Sequence, residues 1–203
     1  MGVLSTEPLL YLTISKGWLV NKKKKIETRG YEGTLIGIEE KPDEYEGKPV
    51  MKVRLKMKDT KTAEIAAIEF TQESWFSLGF FARIEKVDIT KPFTLGVSPS
   101  EKNEKMSFCW IGQKGLKNAK TGKETAEGDP NFPKPEEKVI GRTKVQDWSK
   151  PLERMLPIIE ALQAKLGTGP LFPEEKSAEH SSGPPSPFGN ETLVPTPDDD
   201  LPF

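Results

Sequence analysis

The stretch Val50–Lys58, VMKVRLKMK, alternates apolar and basic side chains over most of its length. Its apolar members are Met51, Val53, Leu55 and Met57, and its basic members are Lys52, Arg54, Lys56 and Lys58. Alternation at every second position is typical of a β-strand with one buried face, whereas a helix would scatter both sets around its circumference. The sequence therefore predicts a strand with one apolar face and one face that carries four positive charges.

Other segments around this strand also have the character of strands. Strands are predicted at Leu9–Leu19, Gly33–Glu40, Ala63–Phe70, Ile84–Ile89, Phe93–Val97 and Met106–Ile111, and Lys41–Pro49 is interpreted as a hairpin loop. One helix is predicted from Thr71, as N-cap, to about Arg83, and its side chains are apolar on nearly every side, so we expect it to be buried. This pattern predicts a mainly β fold, an OB-fold-like small β-barrel with one buried helix. A generic β-sandwich is the alternative.

The sequence divides into four segments. Residues 1–125 are interpreted as the OB-like nucleic-acid-binding domain and residues 126–148 as a linker. Apolar residues recur at helical spacing in 149–166, which predicts a C-terminal helix that packs on the domain, with an oligomer contact as the alternative. Pro157 either kinks this helix or marks the first turn of a shorter one. Residues 167–203 include eight Pro, four Gly and four Ser, so we expect a disordered tail.

The two parts of the chain differ in charge. The 30 basic and 31 acidic residues nearly cancel overall, but residues 1–166 have a formal charge of +5 and residues 167–203 a charge of −6. A basic body joined to an acidic tail suggests a polyanionic partner for the body and a separate role for the tail.

Several classes of protein are disfavoured. The single cysteine, Cys109, rules out an internal disulfide and disfavours a cysteine-based zinc site, and the single histidine, His180, leaves no histidine cluster. We therefore expect no catalytic residues, metal site or cofactor. A magnesium-dependent nuclease is a weak alternative, because no carboxylate cluster or glycine-rich phosphate loop is recognisable. The sequence contains no long apolar run and no secretory signal, so we expect a cytoplasmic protein that does not enter a membrane.

The sequence ends in Asp198-Asp199-Asp200-Leu201-Pro202-Phe203. This hexapeptide and the Pro/Gly-rich segment before it resemble the tail of bacterial single-stranded DNA-binding proteins, including many phage members. The resemblance is close for the hexapeptide and compositional for the rest of the tail, and it does not extend clearly to residues 1–166. It implies that the body coats single-stranded DNA and that the tip recruits replication, recombination and repair proteins.

The chemistry of the hexapeptide agrees with partner binding. Phe203 joins an aromatic ring to an α-carboxylate, which an apolar pocket beside an Arg or Lys can bind together. The three aspartates add long-range attraction to a basic surface, and Pro202 lowers the cost of ordering the peptide. An acidic tail that only increases solubility is the alternative.

Binding of single strands requires cations for the phosphates and aromatic rings for the bases. Two groups combine these residue types: one comprises Lys16, Trp18, Lys22, Lys23, Lys24, Lys25, Arg29 and Tyr31, and the other Lys52, Arg54, Lys56 and Lys58. The lysine run is alternatively a solvated hairpin tip, and acidic neighbours such as Glu64 and Glu69 are an alternative use of the strand cations. Trp18 and Tyr31 are the predicted stacking residues, whereas Trp110 is interpreted as a core residue, with a platform for a base as the alternative.

These observations favour a non-enzymatic, non-sequence-specific single-stranded DNA-binding protein. The alternative is an interaction adaptor, whose tip engages replication or repair proteins while its β-domain binds protein rather than DNA. The oligomeric state is left open by the sequence, and RNA is not excluded as a ligand.

Overall fold

The computed structural model describes residues 10–101, 103, 106–141 and 143–167, and strands make up 47% of them. The strands are β1 Leu10–Ser15, β2 Trp18–Asn21, β3 Ile26–Thr28, β4 Gly30–Tyr45, β5 Lys48–Asp59, β6 Ile65–Thr71, β7 Phe93–Pro99, β8 Ser107–Gly112, β9 Glu136–Ile140 and β10 Thr143–Asp147. The helices are α1 Trp75–Ile84 and α2 Ser149–Leu166. The mainly β prediction is confirmed.

Eight strands form one curled sheet in the order β3-β2-β1-β6-β5-β4-β7-β8, and all neighbours are antiparallel except the parallel pair β1–β6. Thr28 ends β3 and Gly30 begins β4, so these two strands are consecutive parts of the chain that bend at Arg29. The backbone N–H of Val97 in β7 donates to the carbonyl of Arg29 at 2.8 Å. The sheet thereby curls into a half-barrel, in agreement with the predicted OB-like small barrel.

The apolar and basic residues that alternate in β5 lie on opposite faces of the strand. Val53, Leu55 and Met57 are fully buried in the core, and the basic residues between them point to the outward face of the sheet, away from that core. Burial of these apolar side chains, at roughly 25 cal/mol per Å² of apolar surface, is the main driving force that fixes the register of the strand.

The predicted hairpin loop at residues 41–49 is wrong in extent. Strands β4 and β5 pair as far as Tyr45 and Lys48, and only Glu46 and Gly47 form the turn. Both turn residues have positive φ, 51° and 74°, as type I′ turns require, and this turn matches the twist of the two strands. The charged residues of the predicted loop are instead the exposed end of a long hairpin. A second turn, at Lys16-Gly17, divides the single strand that the sequence predicts at residues 9–19 into β1 and β2.

Helix α1 is buried as predicted, but it begins later. Its N-cap is Ser74, whose Oγ accepts a hydrogen bond from the backbone N–H of Ser77 at 3.1 Å. Phe76, Phe80 and Phe81 lie in the core beneath the sheet. The strand predicted at Ile84–Ile89 does not form, because Ile84 ends α1 and the chain then turns, with Val87 and Ile89 buried and the residues beside them exposed.

The predicted linker at residues 126–148 contains structure of its own. Ala126 and Phe132 are buried, and β9 and β10 pair as a separate two-stranded hairpin. Helix α2 covers the predicted range, includes Pro157, and packs on the barrel through Met155, Ile158, Ile159 and Leu162. Neither described helix is long and apolar enough to cross a membrane. The predicted disordered tail, beyond Gly167, lies outside the residues that the structure describes.

Candidate nucleic-acid interface

Arg54, a predicted phosphate ligand, is buried in an ion-pair network on the outward face. Its guanidinium pairs with Glu69 of β6 and with Glu39 of β4, the latter at 3.1 Å between Nη1 and Oε1. Burial lowers the pKa of Arg54, but its two carboxylate partners outweigh this effect and the net shift is upward. Burial raises the pKa of Glu39 despite the attraction of Arg54. Arg54 is therefore unavailable to phosphate, as the alternative with acidic neighbours anticipated.

The other basic residues of β5 differ in their surroundings. Lys52 is half-buried and pairs with Asp43, whose pKa this hydrogen bond lowers. Lys56 is also half-buried, while Lys58 is exposed near the end of the strand. The predicted face of four free cations is thus a largely charge-compensated surface, with its exposed cation at one end.

Tyr31, a predicted stacking residue, belongs to the core. Its side chain is 9% exposed, and its hydroxyl donates to the carbonyl of Glu64 at 3.3 Å. Burial, with smaller effects from the nearby carboxylates of Asp59 and Glu64, raises the pKa of Tyr31 to about 12. Tyr31 is paired opposite the buried Leu95 of β7 and so lies on the inward face of β4, a register that local sequence does not indicate.

Trp18, the other predicted stacking residue, is half-buried beneath Arg29. The guanidinium carbon of Arg29 lies 3.6 Å from the centroid of the Trp18 ring, and its Nη1 donates to the carbonyl of Gly17 at 2.6 Å. This cation–π contact orders both side chains at the turn that contains the exposed Lys16. Arg29 thus covers one face of the aromatic ring.

The lysine run forms part of a larger cationic surface. Lys22–Lys25 make the turn between β2 and β3. Lys24 forms an ion pair with Glu64, which lies in the turn between β5 and β6, with 3.8 Å between Nζ and Oε1. Lys61 lies in that second turn, and Lys58 precedes it at the end of β5. The residues around the two turns that this ion pair joins are called the lysine cluster: Lys22, Lys23, Lys24, Lys25, Lys58 and Lys61. Within the described chain, Lys22, Lys23 and Lys25 make no ion pair. The sequence analysis missed Lys61, because only the tertiary contact joins the two turns.

A second surface, missed by the sequence analysis, is a cavity of about 500 Å³ at the other end of β5. We call it the aromatic groove. It is lined by Tyr45, Trp75 and Trp148, together with Lys52, Glu69, Glu73 and polar residues of β1 and β6. The rings of Trp75 and Trp148 meet edge to face with centroids 6.0 Å apart, and Tyr45 is 65% exposed at the hairpin tip. These aromatic residues come from three segments that are distant in sequence.

The outward face of β5 connects these two surfaces. Lys58 belongs to the lysine cluster and Lys52 to the aromatic groove, and the five residues between them place the two about 20 Å apart at the usual rise of a strand. Outward side chains of β4 and β6 flank this row. The arrangement provides cations at one end, aromatic rings at the other, and a polar surface between them.

Three further predictions concern a metal site, the cysteine and the C-terminal hexapeptide. The described residues contain no group of three or more His, Cys, Asp or Glu side chains that could hold a metal ion. Cys109 is buried, and burial raises the pKa of its thiol. The hexapeptide Asp198–Phe203 lies outside the described residues. Comparison of the chain with protein-family models, curated proteins and solved structures finds no match.

Proposed function

We propose that this protein binds single-stranded DNA without sequence specificity, coats and protects it, and recruits replication, recombination or repair proteins through its C-terminal hexapeptide. The observation that carries the proposal is the outward row of β5, which joins the lysine cluster to the aromatic groove. OB-type barrels bind oligonucleotides on an outward strand face of this kind.

The two ends of the row have different tasks in this proposal. Lys22, Lys23 and Lys25 neutralise phosphates and release counterions, which gives affinity that falls as salt rises. Bases stack in the aromatic groove, where Tyr45 is the most exposed ring. Arg54 and its carboxylate partners form the ion-paired polar surface between the two ends, and Arg54 does not bind phosphate.

The hexapeptide binds the partner protein in this proposal. Its aspartates attract a basic surface on a partner, and Phe203 supplies the ring and carboxylate that such a surface binds. When DNA is absent, the same acidic peptide can occupy the cationic surface of the body in place of phosphates. This competition predicts that removal of residues 198–203 leaves DNA affinity equal or higher.

The acidic residues of the aromatic groove favour the adaptor alternative. Glu69 and Glu73 line it together with Lys52, and carboxylates repel phosphates. A groove that combines aromatic rings with these acids also suits a peptide with basic and apolar side chains. In that case the hexapeptide engages one protein and the groove another.

Binding of oligo(dT) by the full-length chain and by a variant that lacks residues 198–203 separates the two functions. DNA binding predicts that both proteins bind at low salt, that the shortened one binds at least as tightly, and that only the full-length chain captures partner proteins. If neither protein binds oligo(dT) at low salt, the DNA-binding function is wrong and the adaptor remains.

A further inference from the structure

Trp110 lies on the outward face of β8, contrary to its predicted place in the core. The inward positions of this strand are held by Cys109 and Ile111, both buried, while Trp110 is half-buried between them in sequence. The ring of Trp110 covers its cross-strand partner Gly96 on β7. A Cβ built on Gly96 would lie 1.9 Å from Cε2 of the ring, so the indole occupies the space of the missing side chain.

Glycines keep the surroundings of this ring open. Gly30 of β4 is the cross-strand partner of Gly96, so Gly30, Gly96 and Trp110 form one row across three strands. Gly112 is the next outward residue of β8, and a Cβ there would lie 3.3 Å from Cζ3 of the indole. The ring is therefore supported by backbone on one side and bordered by residues without side chains. Within the described chain, the indole N–H of Trp110 donates to no protein acceptor.

We propose that Trp110 is a stacking platform for one base of a bound single strand. The proposal rests on the proposed function, and it extends the binding surface from β5 across β4 to the β7–β8 hairpin. A base is the fitting occupant because the site offers a rigid π-face, an indole N–H donor and, at Gly30 of β4, backbone without a side chain that a flat ring can approach.

A neighbouring cavity supplies space for the rest of the nucleotide. It has a volume of about 540 Å³, and Gly112, which borders the ring, lines it together with Thr94 of β7. Lys114, exposed on its wall, provides a cation for a phosphate next to the stacked base. Strand β4 borders both this hairpin and β5, so a strand that leaves the lysine cluster can cross β4 to Trp110.

The test compares full-length Trp110→Leu and Trp110→Phe variants with the unchanged protein. Leucine retains apolar cover over Gly96 but cannot stack, whereas phenylalanine retains a smaller ring. We expect Trp110→Leu to bind oligo(dT) roughly 5- to 150-fold more weakly, the factor that corresponds to one stacked base, and Trp110→Phe to lose less. An abasic oligomer of the same length should bind both variants and the unchanged protein alike.

Fluorescence provides a second measurement that does not depend on the leucine variant being folded. In a chain whose other tryptophans, Trp18, Trp75 and Trp148, are changed to Phe and whose binding of oligo(dT) and of the abasic oligomer is first confirmed by anisotropy of the labelled oligomers, saturating oligo(dT) should quench the emission of Trp110, and the saturating abasic oligomer should not. Unchanged affinity in Trp110→Leu, equal weakening on both oligomers, or unchanged emission would each overturn the platform and leave the proposed function standing. If the unchanged protein fails to bind oligo(dT), the proposed function and the platform both fall.

Discussion

Arg54 of β5 and Glu69 of β6 are directly opposite each other in the antiparallel pair, and Glu69 accepts hydrogen bonds from the Arg54 guanidinium at one oxygen. Glu39 of β4 completes the network from the other side. Three adjacent strands are therefore connected by one largely buried cation. This relationship explains why a strand with four basic residues is stable without a polyanion.

Removal of this cation should cost stability. Arg54→Met leaves Glu39 and Glu69 without their partner, and loss of one member of a buried ion pair costs about 3–5 kcal/mol. We expect the lower end, roughly 3 kcal/mol less free energy of unfolding, because the carboxylates remain partly exposed. Urea denaturation measures the change, and Lys58→Met, on the same strand but exposed, is the matched control. Equal stability of the two variants would contradict a structural role for Arg54.

The buried hydroxyl of Tyr31 predicts a loss of stability in alkali. Because its pKa is raised to about 12 from 10.0, the unfolded chain ionises first as the pH rises, and the native state is penalised in this interval. The contribution of Tyr31 is therefore present below pH 10 and is lost between pH 10 and about 12, by at most about 1.4 kcal/mol per pH unit.

Tyr31→Phe isolates this effect from other titrating groups. At neutral pH it should lower the free energy of unfolding by about 0.5–1.5 kcal/mol, the usual value of the lost hydrogen bond. The difference between the two proteins should then shrink or reverse above pH 10. A difference that stays constant from pH 8 to pH 12 would rule out the buried, neutral Tyr31.

The lysine cluster predicts a specific change in the salt dependence of DNA binding. Replacement of Lys22, Lys23 and Lys25 by Ser should lower the slope of log K against log salt concentration by about 2, because each phosphate contact on a single strand contributes about 0.7. Stability should not change, since all three side chains are exposed. The same change at Lys86, Lys134 and Lys165, exposed lysines outside the cluster and the groove, should leave the slope intact. Equal slopes for both triple variants would remove the cluster from the interface.

Tyr45 tests the aromatic groove at its most exposed ring. Tyr45→Ala should weaken oligo(dT) binding by about 1–3 kcal/mol if a base stacks there, whereas Tyr45→Phe should retain most of the affinity. Thermal unfolding should change little, because the side chain is 65% exposed at the hairpin tip. Fluorescence anisotropy with labelled oligo(dT) gives both affinities, and an alanine variant that binds as tightly as the unchanged protein would exclude Tyr45 from the site.

Some residues of the candidate site could be predicted from sequence and others could not. Lys22–Lys25 are contiguous and hydrophilic, so their exposure at a turn follows from composition. Tyr31 and Arg54 have equally suggestive neighbours in sequence, yet both are buried, since contacts with Glu64 in the β5–β6 turn and Glu69 in β6 decide their environment. Trp110 is misjudged for the same reason. Apolar character cannot tell which face of an edge strand meets the core.

The amino-acid sequence by itself determined the period of the strands, the buried helix and the C-terminal helix, because these depend on local periodicity. It also determined the difference in charge between the basic body and the acidic tail, which is a matter of composition. Only the tertiary structure decided which basic and aromatic side chains are available. The bend at Arg29 and the pairing of β1 with β6 bring distant segments together, and the resulting contacts bury Tyr31, neutralise Arg54 and gather Tyr45, Trp75 and Trp148 around one groove. Burial and ion pairing are properties of neighbours in space, and local sequence does not specify those neighbours.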